Sequence, residues 1–166
     1  RTAEADGGTG NRKAFSEADL RGLQTHLNKQ KVPKADRYLL LTPQMLDDLK
    51  EDMKDKFHYK DTVNLPDGVV TRLYGFNIME RATVLQISTA LAIKLPGAAT
   101  ATDDNAAGLF WQKQMVERAL GDVKMFENTN DPEYYGSIYS YLLRMGGRAR
   151  RTNGDGVGMI YEAATS

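Results

Sequence analysis

The 166-residue chain contains no cysteine. That excludes disulfides, thiolate metal sites and cysteine nucleophiles, and leaves an intracellular origin as the default expectation. Histidine is nearly absent. His26 and His58 stand far apart, without the close spacing that places two imidazoles on one helix face, so a zinc site is not expected and each reads as an ordinary surface or core-margin residue. Excess charge of either sign is missing too, because 22 Lys and Arg balance 22 Asp and Glu. A zero balance argues against a free protein whose main task is holding DNA or RNA, and it provides little long-range repulsion against association. Long apolar runs are also lacking. The best candidate, residues 84–95, is broken by Gln86, Ser88, Thr89 and Lys94 and falls short of the roughly 18 residues that cross a bilayer. No membrane partner is expected. The opening residues have no apolar segment of the signal-peptide kind, and the chain begins at Arg1 without an initiator Met, as a processed product or a piece of something longer would.

Catalytic signatures are scarce as well. No Gly-x-Ser-x-Gly elbow occurs, and no serine stands in a nucleophile context. The glycines of residues 154–158 resemble half of a phosphate-binding turn. Such a loop needs a following helix whose N-terminus faces the anion, and Met159, Ile160 and Tyr161 read as strand instead. The glycines of residues 7–10 lack the Gly-Lys-Ser/Thr ending of a phosphate loop and read as a linker. No catalytic residue, cofactor or small-molecule substrate is assigned, and the chain is not expected to be an enzyme.

What is present is an ordinary globular composition, 41% apolar and 27% charged, in a chain long enough to bury a sizeable core. Residues 1–14 form no periodic pattern and read as a flexible lead-in. Ser16 with Asp19 resembles a capping box, Phe15 and Leu20 occupy hydrophobic-staple positions, and Leu20, Leu23 and Leu27 follow helical spacing. A helix over about 16–30 follows, stopped by Pro33. Residues 37–42 form a short apolar run of strand length. Thr42 and Pro43 then start a second helix, with Met45, Leu46, Leu49 and Met53 on its buried side. The carboxylates Asp47, Asp48, Glu51 and Asp52 alternate with lysines and read as a solvated face rather than a metal or acid/base pair. Pro66, Asp67 and Gly68 signal a turn, followed by two strands interrupted at Gly75. Residues 79–95 are ambiguous. Residues 96–107 read as an exposed loop, 112–120 as a helix stopped by Gly121, 123–126 as a strand and 128–132 as a loop. Residues 134–144 are helical or extended. Turns are expected at Gly146-Gly147 and at 152–156, and a last strand at 157–161. Helices and strands intermingle, which makes the class α+β.

The sharpest charge feature is Arg144, Arg148, Arg150 and Arg151. Arginine forks grip phosphates well, so a nucleic-acid-binding module is one reading. In a chain without net positive charge, subunit contact or plain surface is the favoured one, and these four arginines are the candidate subunit interface. Arg148 and Arg150 would share one face of a strand. Tyr134, Tyr135, Tyr139 and Tyr141 fit either interface contacts or core packing.

The order of segments adds more. A helix runs into Val32-Pro33. Arg37 to Pro43 then leads into Met45 to Leu49, and Gly75-Phe76-Asn77-Ile78 follows. After a polar gap come Gly108 to Ala119, a tyrosine-rich stretch, Gly146-Gly147-Arg148 and Gly156 to Ile160. This succession resembles the C-terminal half of major capsid proteins of tailed bacteriophages and prophages of the Hong Kong 97 type, over about residues 15–162. The resemblance implies the capsid fold of that family, with residues 15–135 forming an axial domain around the five- and sixfold axes and 136–166 returning toward the peripheral domain. It implies a structural subunit of the virion capsid, made in the bacterial host cytoplasm. Such a subunit self-assembles with copies of itself, as pentameric and hexameric capsomers, into an icosahedral shell that touches packaged DNA only indirectly. The N-terminal arm, extended β-hairpin and long spine helix of a full subunit are not found among these residues. The acidic loop at 97–107 is a candidate surface loop near a capsomer axis.

Overall fold

A computed structural model describes residues 12–54, 65, 67–88, 92–94, 98, 104–131 and 136–162. The first helix, α1 (Glu17–Lys29), begins where the sequence predicts. The Ser16 hydroxyl accepts the Asp19 N–H, and the Asp19 carboxylate accepts the Ser16 N–H at 3.0 Å, closing a capping box. Phe15, Leu20 and Leu27 are buried in the core. The second helix, α2 (Pro43–Asp52), is capped by the Thr42 hydroxyl, and Met45, Leu46 and Leu49 are its buried residues.

Its acidic side is more than a solvated face. The Asp48 carboxylate accepts the Phe15 N–H at 3.3 Å and the Asp52 carboxylate accepts the Glu17 N–H at 2.8 Å. Two carboxylates of α2 therefore satisfy backbone donors at the start of α1, where the helix dipole favours negative charge.

The described residues include ten strands, in chain order: β1 (Arg37–Leu41), which precedes α2, then β2 (Val69–Leu73), β3 (Phe76–Glu80), β4 (Leu85–Ile87), β5 (Asn105–Gln112), β6 (Val116–Leu120), β7 (Lys124–Asp131), β8 (Gly136–Leu142), β9 (Met145–Ala149) and β10 (Val157–Tyr161). Six of them make one sheet, ordered β10-β5-β1-β3-β2, with β4 also pairing β5. Among the described residues only the β1–β3 pair is parallel, and α2 lies in the connection between the two. Strand alternation in β1 sends Arg37, Leu39 and Leu41 to the buried side, where the leucines join Phe76, Ile78, Phe110 and residues of both helices in one core. Each of these side chains contributes on the order of 1.5–3 kcal/mol when fully buried.

Arg37 is 1% exposed. Its guanidinium donates to the Pro33 carbonyl at 2.9 Å, the Val32 carbonyl at 2.7 Å and the Asn28 side-chain oxygen at 2.9 Å. It thus ties the exit of α1 to the first residue of the sheet. Burial lowers its pKa from the usual arginine range.

The interruption at Gly75 is a two-residue hairpin rather than a bulge. Leu73 pairs with Phe76, while Tyr74 and Gly75 both have positive φ, 49° and 81°, as a type I′ turn requires. Tyr74 holds that conformation with its hydroxyl donating to the Glu17 carboxylate and its carbonyl accepting from Gln24 at 2.9 Å.

Four other expectations are corrected. Residues 105–107, read as exposed loop, are buried and open β5. The adjoining Gly108 is crowded, since a Cβ there would lie 2.9 Å from the Leu40 carbonyl oxygen. Residues 99–103 of that loop lie outside the described residues. The helix expected at 112–120 is the end of β5, a 3-10 turn at Lys113–Met115 and β6. The loop expected from 128 is strand up to Asp131, with an irregular register after Asn128. Gly146 and Gly147 lie within β9, opposite Ala119 and Arg118.

Candidate subunit interface

Strands β6 to β9 stand apart from the six-stranded sheet. β6 pairs with β9 and β7 with β8, both antiparallel, and neither pair joins another strand among the described residues. Between the two pairs the Gly121 N–H donates to the Arg144 carbonyl at 2.9 Å, so the ladder runs on through the junction. Gly121 is no helix stop; a Cβ there would sit 3.3 Å from the Arg144 Cβ. The result is one two-stranded ribbon, residues 116–131 against residues 136–149, roughly 50 Å long at about 3.4 Å per residue. An extended hairpin, not expected from the sequence, is therefore present in this stretch. At its base the Arg150 N–H donates to the Met115 carbonyl at 2.8 Å.

The described side chains of β7 through β9 are exposed throughout. Register sorts them into two faces. Met125 pairs with Tyr141 and Glu127 with Tyr139 on one face, while Phe126, Ile138 and Leu142 belong to the other. Tyr141 is 81% exposed, Met125 72% and Phe126 54%. An isolated two-stranded hairpin is marginal in water, and one with apolar residues on both faces leaves more of its surface unsatisfied still. Core packing does not account for Tyr139 or Tyr141. Tyr134 and Tyr135 lie outside the described residues.

The four arginines fall at the ribbon's base and junction. Arg148 on β9 makes an ion pair with Glu117 on β6 at 2.9 Å, and Arg150 approaches the same carboxylate at 3.7 Å. Arg148 and Arg150 thus reach the same carboxylate, as strand alternation implies. Arg151 turns instead toward the body, donating to the Gln30 carbonyl at 3.3 Å and meeting Asp155 at 3.5 Å. Arg144 is exposed at the junction between the two strand pairs. The sequence reading missed Glu117, and it missed Met125, Phe126 and Ile138 as exposed surface. Their signal was an apolar and aromatic stretch matching neither the helix period nor strict alternation.

A second apolar surface lies on the six-stranded sheet, on the face away from the two helices. Tyr38 pairs with Trp111 and Leu40 with Leu109, and the two rings stack with centroids 5.5 Å apart. Val157 and Met159 on β10 continue that face. A groove of about 280 Å³ there is lined by Leu40, Leu109, Phe110, Trp111, Val157 and Val116, the first residue of the ribbon, and Phe110 and Val157 also meet the core. Among the described residues no three His, Asp or Glu side chains gather as a metal site would need. The surfaces available for work are thus apolar faces and an arginine cluster largely occupied by carboxylates of its own chain.

No protein-family model and no curated protein matches the chain. Solved structures do. A chain from the capsid of Ralstonia phage GP4 superimposes with a TM-score of 0.65 over 97% of this chain, at 15% sequence identity. A chain from the capsid structure of cyanophage P-SCSP1u aligns over 87% of this chain at 18% identity with a TM-score of 0.46, covering 40% of that chain. The first likeness shows a shared fold, that of a phage capsid chain, and the α+β class with it. The present chain spans half the length of the GP4 capsid chain.

Proposed function

We propose that this chain is part of a phage major capsid protein of the Hong Kong 97 type, a structural subunit that assembles with copies of itself into an icosahedral shell enclosing DNA. The observation that carries the reading is the capsid-chain fold over nearly the whole chain. The solvent-exposed ribbon supports it, because such a surface suits an assembling subunit. In this reading residues 15–135 belong to an axial domain around the capsomer axes and 136–166 return toward the periphery. Virion location, production in the host cytoplasm and the absence of catalysis follow from the same reading.

Arg144, Arg148, Arg150 and Arg151 remain the proposed contact cluster, with Arg144 and the outer side of Arg148 facing outward. The ion pairs to Glu117 and Asp155 weigh against a nucleic-acid-binding module, since a phosphate would have to displace those carboxylates. Electron microscopy of the intact protein carrying this chain tests the capsid reading. Capsomers or closed shells are expected, and a protein that forms neither under any assembly condition overturns it. A salt titration addresses the alternative: DNA binding through the cluster would weaken steeply as salt rises.

A further inference from the structure

The turn between the end of the ribbon and β10 carries a residue pair with chemistry of its own. Asn153 is the only asparagine of the chain that is followed by glycine. The Gly154 N–H donates to the Arg151 carbonyl at 2.9 Å, which makes residues 151–154 a β-turn with Asn153 at its third position. Asn153 is exposed, so water reaches its side-chain amide. Gly154 has a φ of 73°, and a Cβ there would meet no atom within 4 Å. The space beside its amide nitrogen is therefore open. The other described asparagines lack this combination. Asn77 and Asn105 are buried in strands, and Asn28 and Asn128 precede Lys29 and Thr129, where a side chain crowds the following nitrogen.

We infer that Asn153 is a self-modifying position, converting to aspartate and isoaspartate, and that the contacts of Gln30 with this turn set the rate. Hydroxide removes the Gly154 amide proton, and the nitrogen attacks the Asn153 side-chain carbonyl carbon. The new N–C bond forms as the C–Nδ2 bond breaks, and water returns a proton to the departing nitrogen, which leaves as ammonia. Water then opens the cyclic imide at either carbonyl, giving aspartate or isoaspartate. The fold restrains the first step, because the proton to be lost is the one that the Arg151 carbonyl holds, and the turn must open locally to release it. Gln30, at the end of α1, opposes that opening. Its Oε1 accepts the Gly156 N–H at 3.2 Å, and its backbone carbonyl accepts the Arg151 guanidinium at 3.3 Å. The Arg151–Asp155 pair at 3.5 Å closes the turn from within.

Conversion is slow while the base of the ribbon is held against α1 and faster when that hold is released. Either product leaves a new carboxylate in the turn that begins at Arg151, next in sequence to Arg148 and Arg150. Isoaspartate also carries the main chain through the former side chain, which lengthens the turn between β9 and β10. The change is irreversible and accumulates with the age of the molecule. It is independent of the capsid reading and of what the four arginines contact.

The intact protein carrying this chain is incubated in mildly alkaline heavy-oxygen water, digested in ordinary water, and read by peptide mass spectrometry for label at each asparagine. Label at Asn153 ahead of every other asparagine is expected, as both aspartate and isoaspartate. A synthetic peptide of residues 149–157 gives the rate of the unrestrained turn and should convert faster than the folded protein. Gln30→Ala removes the hydrogen bond to Gly156, and should raise the rate by about two- to tenfold, the equilibrium worth of one such bond. Circular dichroism checks the fold of the variant. Asp155→Ala, which removes the ion pair with Arg151, loosens the same turn independently should Gln30→Ala fail to fold. Labelling of Asn28 or Asn128 as fast as Asn153 overturns the assignment, and so does an unlabelled Asn153 where the peptide is fully converted. A folded protein that reacts as fast as the peptide, or folded variants that react no faster than the unsubstituted protein, overturns the control by Gln30.

Discussion

Among single side chains, Arg37 joins the exit of α1 to the sheet. It is a buried charge held by two carbonyls and one amide oxygen. Arg37→Ala would strand three acceptors in a buried site and should cost about 3 kcal/mol, read as a lowered midpoint in urea unfolding. Arg37→Lys should rescue little, because an ammonium lacks the planar fork that reaches partners on separate sides. The Glu117–Arg148 pair is the opposite case: both side chains are largely in solvent, at 44% and 80% exposure. Exposed pairs of this kind are worth at most about 1 kcal/mol. Its interest lies in how it occupies arginines that would otherwise be free to grip phosphates. A sequence shows the four arginines but not this pairing, since Glu117 is 31 residues from Arg148.

Elements divide by whether local signals agree with tertiary packing. α1, α2, β1 and β10 were legible because caps, helix period and turn glycines all act within a few residues and all point inward to one core. The β2–β3 hairpin was half legible. Gly75 gave it away, but the turn also needs Tyr74 at positive φ, which no sequence rule favours for an aromatic residue. Gly75→Ala should therefore lower stability by about 1 kcal/mol, measurable as a shift in thermal midpoint, since the added Cβ meets a φ of 81°. The ribbon was not legible. Residues 112–120 are rich in helix formers, and pairing with β9 overrides that preference. Its strands also lack the apolar-polar alternation that betrays a half-buried sheet, because both faces carry apolar groups. Gly146 and Gly147 suggested a turn, yet they sit in a strand where Gly147 is close to the Glu117 backbone.

For the whole molecule, the order of segments pointed to the phage-capsid fold that the structural likeness shows, but not to the ribbon on which the proposed contacts would fall. The reason is physical. A surface built to be covered by another molecule satisfies its packing outside the chain, and no periodicity within the chain records that. The ribbon also has two edges whose backbone donors and acceptors point outward along most of its length, so it can template any passing strand as readily as receive the correct neighbour. If the chain assembles as proposed, the unincorporated subunit is the fragile species, and precipitation competes with assembly for the same strip. A charge placed there should shift the outcome. Met125→Lys is expected to raise the soluble fraction after overexpression while lowering the yield of particles, compared by centrifugation of matched lysates. The concentration of orphan subunits, more than their intrinsic stability, would then govern how much protein is lost before a container is complete.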